Sequence, residues 1–195
     1  MKFNYKAQIE DMLLRYARLG LSERIDDLPD LGNTNSYDEK FAKYEKYIIQ
    51  EILVLKEISF DGYMLLLQDV LVISKEISDF VKSYGSVKYS LTAYVLGITD
   101  EYVFNEIDNI KEFINFTPFT KKPKVNILIS SFANAGCIGY IKHKYPDIIK
   151  KVKKRAVIFN DGFEIKFIDL GIDIKVEETD LDTDTLSILK INKII

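Results

Sequence analysis

The chain is short of the residues from which disulfides, zinc sites and histidine chemistry are made. Cys137 is the single cysteine, which excludes an internal disulfide framework and a cysteine-based zinc site and fits a reducing compartment. His143 is the single histidine, so a His-based metal cluster and a Ser-His-Asp triad are both excluded. Flanked by Lys142 and Lys144, it reads as a surface residue. Long apolar runs are missing too: the longest, Tyr63 to Leu67, falls far below the roughly 20 residues a membrane span needs. No basic start leads into an apolar stretch of the kind that marks a secretory leader. A soluble, cytoplasmic protein with no membrane partner is expected. A net charge of -3 argues against a wholly basic nucleic-acid coat, although a local basic face remains compatible with it. With no internal repeat or low-complexity linker, 195 residues at 47% hydrophobic predict one compact domain.

Periodicity supplies the elements. Ile9, Met12, Leu13, Tyr16 and Leu19 recur at helical spacing, and Gly20 stands as the C-terminal stop of that first helix. Asp26 to Ser36, with Pro29 and Gly32, predicts a loop. Phe41, Tyr44, Ile48, Ile52 and Leu55 predict a long helix over Tyr37 to Glu57, broken by Ser59 to Gly62. Tyr63 to Phe80 is apolar almost all round and then amphipathic, as a centrally packed helix would be. Tyr84-Gly85-Ser86 precedes Leu91, Tyr94, Val95 and Ile98, so a Gly-Ser turn is expected to open another helix. Asp100 to Phe116 continues helical, and Pro118 and Pro123 bracket a basic connector of Lys121 and Lys122.

Val125 to Ile129 predicts a strand and Ala133 to Tyr145 a helix, after which Pro146 opens a second short, lysine-rich helix near Asp147. Val157 to Phe159, Glu164 to Asp169 and Ile172 to Val176 predict strands, with Asp161-Gly162 as a hairpin signal. The tail from Asp182 to Ile194 ends in a helix. Helices first and mixed elements afterwards give an α/β or α+β fold: N-terminal helices over 1–58, central helices over 59–116, and a small mixed β-sheet within 117–195 on which the helical half packs.

Several of these segments carry a family pattern. Glu51-Ile52, then Phe60-Asp-Gly-Tyr63-Met-Leu-Leu-Leu-Gln-Asp69, then Ser90-Leu-Thr-Ala-Tyr-Val-Leu-Gly-Ile-Thr99 follow one another in order. Lys111-Glu-Phe-Ile-Asn115, Pro123 and Ile138-Gly-Tyr-Ile-Lys-His-Lys-Tyr145 come after them. In this order they resemble the palm of the bacterial C-family replicative DNA polymerases, the DNA polymerase III alpha subunit. Leu14 to Arg24 is similar to the approach to that palm. The resemblance implies a nucleotidyltransferase-type palm, whose carboxylates on neighbouring strands hold two magnesium ions that activate a primer hydroxyl and clamp a triphosphate.

The carboxylates that chemistry requires are gone. Lys124 and Asn126 stand where the resemblance places the metal-binding Asp residues, and Leu128 replaces a third acidic residue of that strand. Magnesium wants hard, anionic oxygens, whereas Lys124 brings a positive charge to a site for cations. The family's remaining catalytic Asp lies on a later strand in a Lys-x-Asp context. Lys175-Val-Glu177, followed by Asp182 and Asp184-Thr185, matches that place, with Asp180 as a rival to Glu177. The phosphate turn is altered as well: Tyr84-Gly85-Ser86 stands where the family has Arg-Gly-Ser, and Phe80-Val-Lys-Ser83 where it has Gly-Pro-Gly. Gly85 and Ser86 remain candidates for holding a phosphate on backbone N-H groups. The plainer account is that Gly85 permits the turn and Ser86 caps the helix.

One basic concentration is present, Lys142, His143, Lys144, Lys150, Lys151, Lys153, Lys154 and Arg155. It is either a nucleic-acid or partner contact or a solvated helix face. Asp180, Asp182 and Asp184 alternate like metal ligands, but Thr185 and Ile191 stand where an EF-hand loop needs Gly and Glu, and an acidic helix start accounts for them better. Cys137 reads as a small buried hydrophobe.

Kept packing motifs beside lost carboxylates point to a catalytically inactive, stand-alone palm, retained as a binding or regulatory module in DNA replication, with no cofactor. Its expected partners are a polymerase, another replication protein, or DNA contacted through Lys142 to Arg155. Such a small pseudo-polymerase fits a phage or mobile element. The alternative is an enzyme, either a divergent nucleotidyltransferase or one part of a split DNA polymerase, with Mg2+ held by Asp169, Asp173, Glu177, Asp180 or another chain. A third possibility is a helical interaction protein unrelated to polymerases.

Overall fold

A computed structural model describes residues 6–30, 36–78, 80–102 and 125–169. Among these residues the order is α1 (Lys6–Arg24), α2 (Tyr37–Glu57), α3 (Asp61–Ile77), β1 (Val81–Gly85), α4 (Leu91–Val95), β2 (Val125–Ile129), α5 (Ser131–Lys144), β3 (Ile149–Lys153), β4 (Ala156–Phe159) and β5 (Glu164–Asp169). Helices followed by a mixed five-stranded sheet make this an α+β fold, as expected. The helix expected over Asp100 to Phe116, the Lys121-Lys122 connector, the strand at Ile172 to Val176 and the terminal helix lie largely or wholly outside the described residues.

The chain forms two compact units, residues 1–68 with 88–119 and residues 69–87 with 120–195, and the division falls inside α3 between Gln68 and Asp69. In the first unit α1 contacts α2 and α4. Leu13, Ala17, Leu21 and Ile25 are buried, whereas Met12, Tyr16 and Leu19 are exposed. Two expectations about α1 are corrected by this arrangement. Gly20 does not stop the helix, which continues to Arg24. A Cβ on Gly20 would lie 1.7 Å from the Val95 carbonyl oxygen, so the glycine permits α4 to approach and thereby chooses which face of α1 is inward. α2 follows its pattern: Ser36 caps it by accepting from the Glu39 N-H, and Tyr44, Ile48, Ile52 and Leu55 are buried. Each such side chain contributes roughly 1.5–3 kcal/mol on removal from water.

In the second unit the strand order is β1-β2-β5-β4-β3. β2 pairs antiparallel with β1 and parallel with β5, and β4 pairs antiparallel with β5 and β3. Parallel neighbours need a crossover, supplied here by the chain from α5 through the β3–β4 hairpin. Val125, Ile127, Ile129, Ile165, Phe167, Val157 and Phe159 share one face and are all buried. The signal at Asp161-Gly162 is a β4–β5 turn: Gly162 has φ +89°, and its N-H donates to the Phe159 carbonyl at 3.0 Å. Cys137 is buried with its Sγ 3.2 Å from Ser74 Oγ.

Two further expectations fail in this unit. The lysine-rich segment after Pro146 is a single 3-10 turn, Pro146–Ile148, followed by strand β3 rather than a helix. Its Ile149 and Val152 stand three apart, a helical spacing, and share a face of the strand only through a register shift between Ile149 and Lys151. The two-residue turn Lys154-Arg155 folds it back on β4, and pairing with that strand decides the outcome. The Gly-Ser segment does not open a helix directly: Gly85, at φ +112°, ends β1, and a 3-10 turn, Ser86–Tyr89, intervenes. Ser90, not Ser86, caps α4, accepting from the Ala93 N-H at 3.1 Å.

Candidate functional site

Asn126 lies in β2 between two strands whose register fixes its neighbours. It stands opposite Tyr84 of β1 and Lys166 of β5. Two residues on, Leu128 stands opposite Lys82 and Ile168. Directly opposed residues share a face of the sheet, so this face carries Tyr84, Lys82, Asn126, Leu128, Lys166 and Ile168, with no carboxylate among the six. Glu164, two residues before Lys166, extends the same face. It accepts from Lys153 Nζ at 3.3 Å and lies 3.9 Å from Lys166 Nζ. Among the described residues no group of three or more His, Cys, Asp or Glu could hold a metal ion. A neutral amide beside a lysine ammonium does not fit the magnesium ions that a nucleotidyltransferase palm implies, because the fixed positive charge repels them and supplies no oxygen. Lys124, Glu177, Asp173, Asp180, Asp182 and Asp184 lie outside the described residues.

Lys166 was not singled out from the sequence. The hairpin at Asp161-Gly162 announces β5, but only the parallel pairing with β2, set by the crossover, puts Lys166 beside Asn126.

The N-terminus of α4 is already filled. The Glu51 carboxylate accepts from the N-H groups of Leu91 and Thr92 at 2.9 and 2.8 Å and from Ser90 Oγ at 2.9 Å. Burial pushes the Glu51 carboxyl above its ordinary range, and these hydrogen bonds oppose that only in part. The backbone donors that follow the Gly-Ser turn therefore serve a protein acid. Gly85 itself pairs with Val125 across the sheet.

A second carboxylate ties α3 to α5. Asp69 accepts from Tyr140 Oη at 2.7 Å, from Tyr145 Oη at 2.7 Å, and from Lys144 Nζ at 2.7 and 2.8 Å. Desolvation would raise the Asp69 carboxyl, but the bonds from Lys144, Tyr140 and Tyr145 outweigh it and hold the group below the ordinary carboxylate range. Lys144 also lies over the rings of Tyr140 and Tyr145, 5.3 and 5.6 Å from their centroids. Of the basic candidates, Lys144 is thus committed to an internal ion pair. Lys142 is exposed on α5, Lys150, Lys151 and Lys153 are exposed on β3, and Lys154 and Arg155 form the β3–β4 turn, with Arg155 half-buried.

The family described as the bacterial DNA polymerase III alpha NTPase domain matches residues 11–154 of the chain, well over half of it. The chain belongs to this family. A DNA polymerase III subunit alpha of Helicobacter pylori (strain J99) is 33% identical over 112 residues, which cover 57% of this chain and 8% of that protein. The chain therefore spans a small part of the length of this curated relative. Within the DNA polymerase III alpha segment, some of the residues quoted for the resemblance bond one another: Glu51 with Ser90, Leu91 and Thr92, and Asp69 with Tyr140, Lys144 and Tyr145. The family match ends before β4 and β5, so Lys166 lies beyond it. A helical interaction protein unrelated to polymerases is set aside by this match together with the mixed sheet.

Proposed function

We propose that the chain is a catalytically inactive palm-like module of the DNA polymerase III alpha family, acting as a binding or regulatory element in DNA replication with a polymerase, another replication protein or DNA as partner. The observation that carries this is the Asn126 row, in which Asn126, at a place where the resemblance expects a metal-holding Asp, lies between Tyr84 and Lys166 with no carboxylate beside it. The Glu51 and Asp69 clusters support the same reading, because both acids are engaged in internal hydrogen bonds. Lys124 and Glu177 are the remaining degenerate positions in this proposal, and Gly85 and Ser86 serve the turn.

The enzyme alternative, a divergent nucleotidyltransferase or part of a split polymerase, draws its acids from Asp169, Asp173, Glu177 and Asp180. Of these, Asp169 holds a register position opposite Ile129, out of the Asn126 row. The deciding experiment supplies the purified chain with a primed template, the four deoxynucleoside triphosphates and magnesium or manganese. No primer extension is expected. Extension that disappears on mutating Glu177 or Asp180 overturns the proposal in favour of the enzyme.

A further inference from the structure

The face that holds Asn126 carries the opposite charge from the one a metal-dependent palm requires. Cross-strand register aligns Lys153, Ala156, Lys166 and Asn126 in one row across β3, β4, β5 and β2. Lys151 lies two residues from Lys153 on the same face, opposite Ile158. The side chains of Lys153 and Lys166 are 51% and 59% exposed, and the small Ala156 lies buried between them. Lys154 and Arg155 cap the same end of the hairpin, whereas the acids Asp147 and Asp161 lie toward its other end, near Ile148 and Phe159. Glu164 is the one acid on the described part of this face, and it is shared by two lysines. Its single charge leaves the ridge positive.

We propose that this β3–β4–β5 ridge binds the phosphodiester backbone of nucleic acid directly through Lys151, Lys153 and Lys166, with no divalent metal between protein and phosphate. In a metal-loaded palm the carboxylates recruit cations that then meet phosphate. Here the cations are covalently part of the sheet. Lysines on β3 and β5 reach outward on long, flexible side chains, and contacts from them to phosphate oxygens are indifferent to base sequence. This deepens the proposed function and rests on its metal-free palm, but it can fail separately.

The test uses the full chain and a fluorescently labelled single-stranded DNA, with a duplex of the same sequence in parallel, followed by anisotropy in EDTA and in magnesium. Binding is expected in EDTA, unchanged by replacing EDTA with magnesium at matched ionic strength, and weakened steeply between roughly 50 and 200 mM salt. Lys153→Gln with Lys166→Gln weakens binding about tenfold and lowers the salt slope by about 1.4 on single strands. Glu164→Gln tightens binding, an outcome that misfolding does not mimic. Lys142→Gln, on α5, changes it less than twofold. No binding in EDTA at low salt, a requirement for magnesium, an equal loss in Lys142→Gln, or equal affinity for a polyglutamate peptide each overturns the proposal. Primer extension would overturn the proposed function and leave DNA binding by this ridge to be judged on its own result.

Discussion

Gly20, Asp69 and Glu51 show how single residues carry more than their sequence context announces. Because a Cβ at Gly20 would meet the Val95 carbonyl at 1.7 Å, Gly20→Ala must push α1 and α4 apart. The expected loss is about 3 kcal/mol, at the upper end of overpacking costs, read as a lower urea midpoint. Asp69→Asn removes the anion that holds Lys144 and two tyrosine hydroxyls. The expected cost at neutral pH is about 2–3 kcal/mol, since hydrogen bonds to charged groups are the stronger kind. The native Asp69 carboxyl is depressed, so its contribution is fully present above the unfolded carboxylate value and is lost as pH falls through the folded one. The stability gap between native protein and Asp69→Asn should therefore close in acid, which urea titrations across the acid range would check.

At the scale of elements, α4 is a five-residue helix, too short to persist without tertiary support, and its support is concentrated at one end. Ser90→Ala removes both the cap on Ala93 and a donor to Glu51. A loss of about 1–2 kcal/mol is expected by chemical denaturation. Glu51 titrates in the opposite sense to Asp69. Its folded carboxyl is raised, so the native chain loses stability as pH rises above the ordinary glutamate value, where the unfolded state ionises first. Glu51→Gln lacks that dependence, and its stability relative to the native chain should improve over that window. The helix α2 was legible from Phe41 to Leu55, because its apolar residues recur along one face. β3 was not, because Ile149 and Val152 have a helical spacing, and only pairing with a non-local strand, through a register shift, makes the segment extended.

For the molecule as a whole, the lack of a carboxylate cluster among the described residues makes a thermodynamic prediction. A ligand that binds only the folded state raises its stability by mass action, so millimolar magnesium should leave the thermal midpoint unchanged at fixed ionic strength. A clear upward shift would mean that acids such as Glu177 or Asp180 complete a metal site. The basic cluster was legible as composition over Lys142 to Arg155. Its partition was not: Lys144 turns to Asp69, while Lys151 and Lys153 join Lys166 across a hairpin.

The order of motifs from Glu51 to Tyr145, and Lys124, Asn126 and Leu128 at places where the resemblance expects acids, were fixed by local residue identity, and from them follow family, fold class and the proposal of inactivity. Tertiary structure decided the register. Side chains alternate faces with every residue along a strand, so only the parallel pairing of β2 with β5 makes Lys166 the neighbour of Asn126. Tertiary structure likewise decided that Gly20 is a point of contact and that the donors after the Gly-Ser turn belong to Glu51, because both depend on segments far apart in the chain meeting at hydrogen-bond or van der Waals distance.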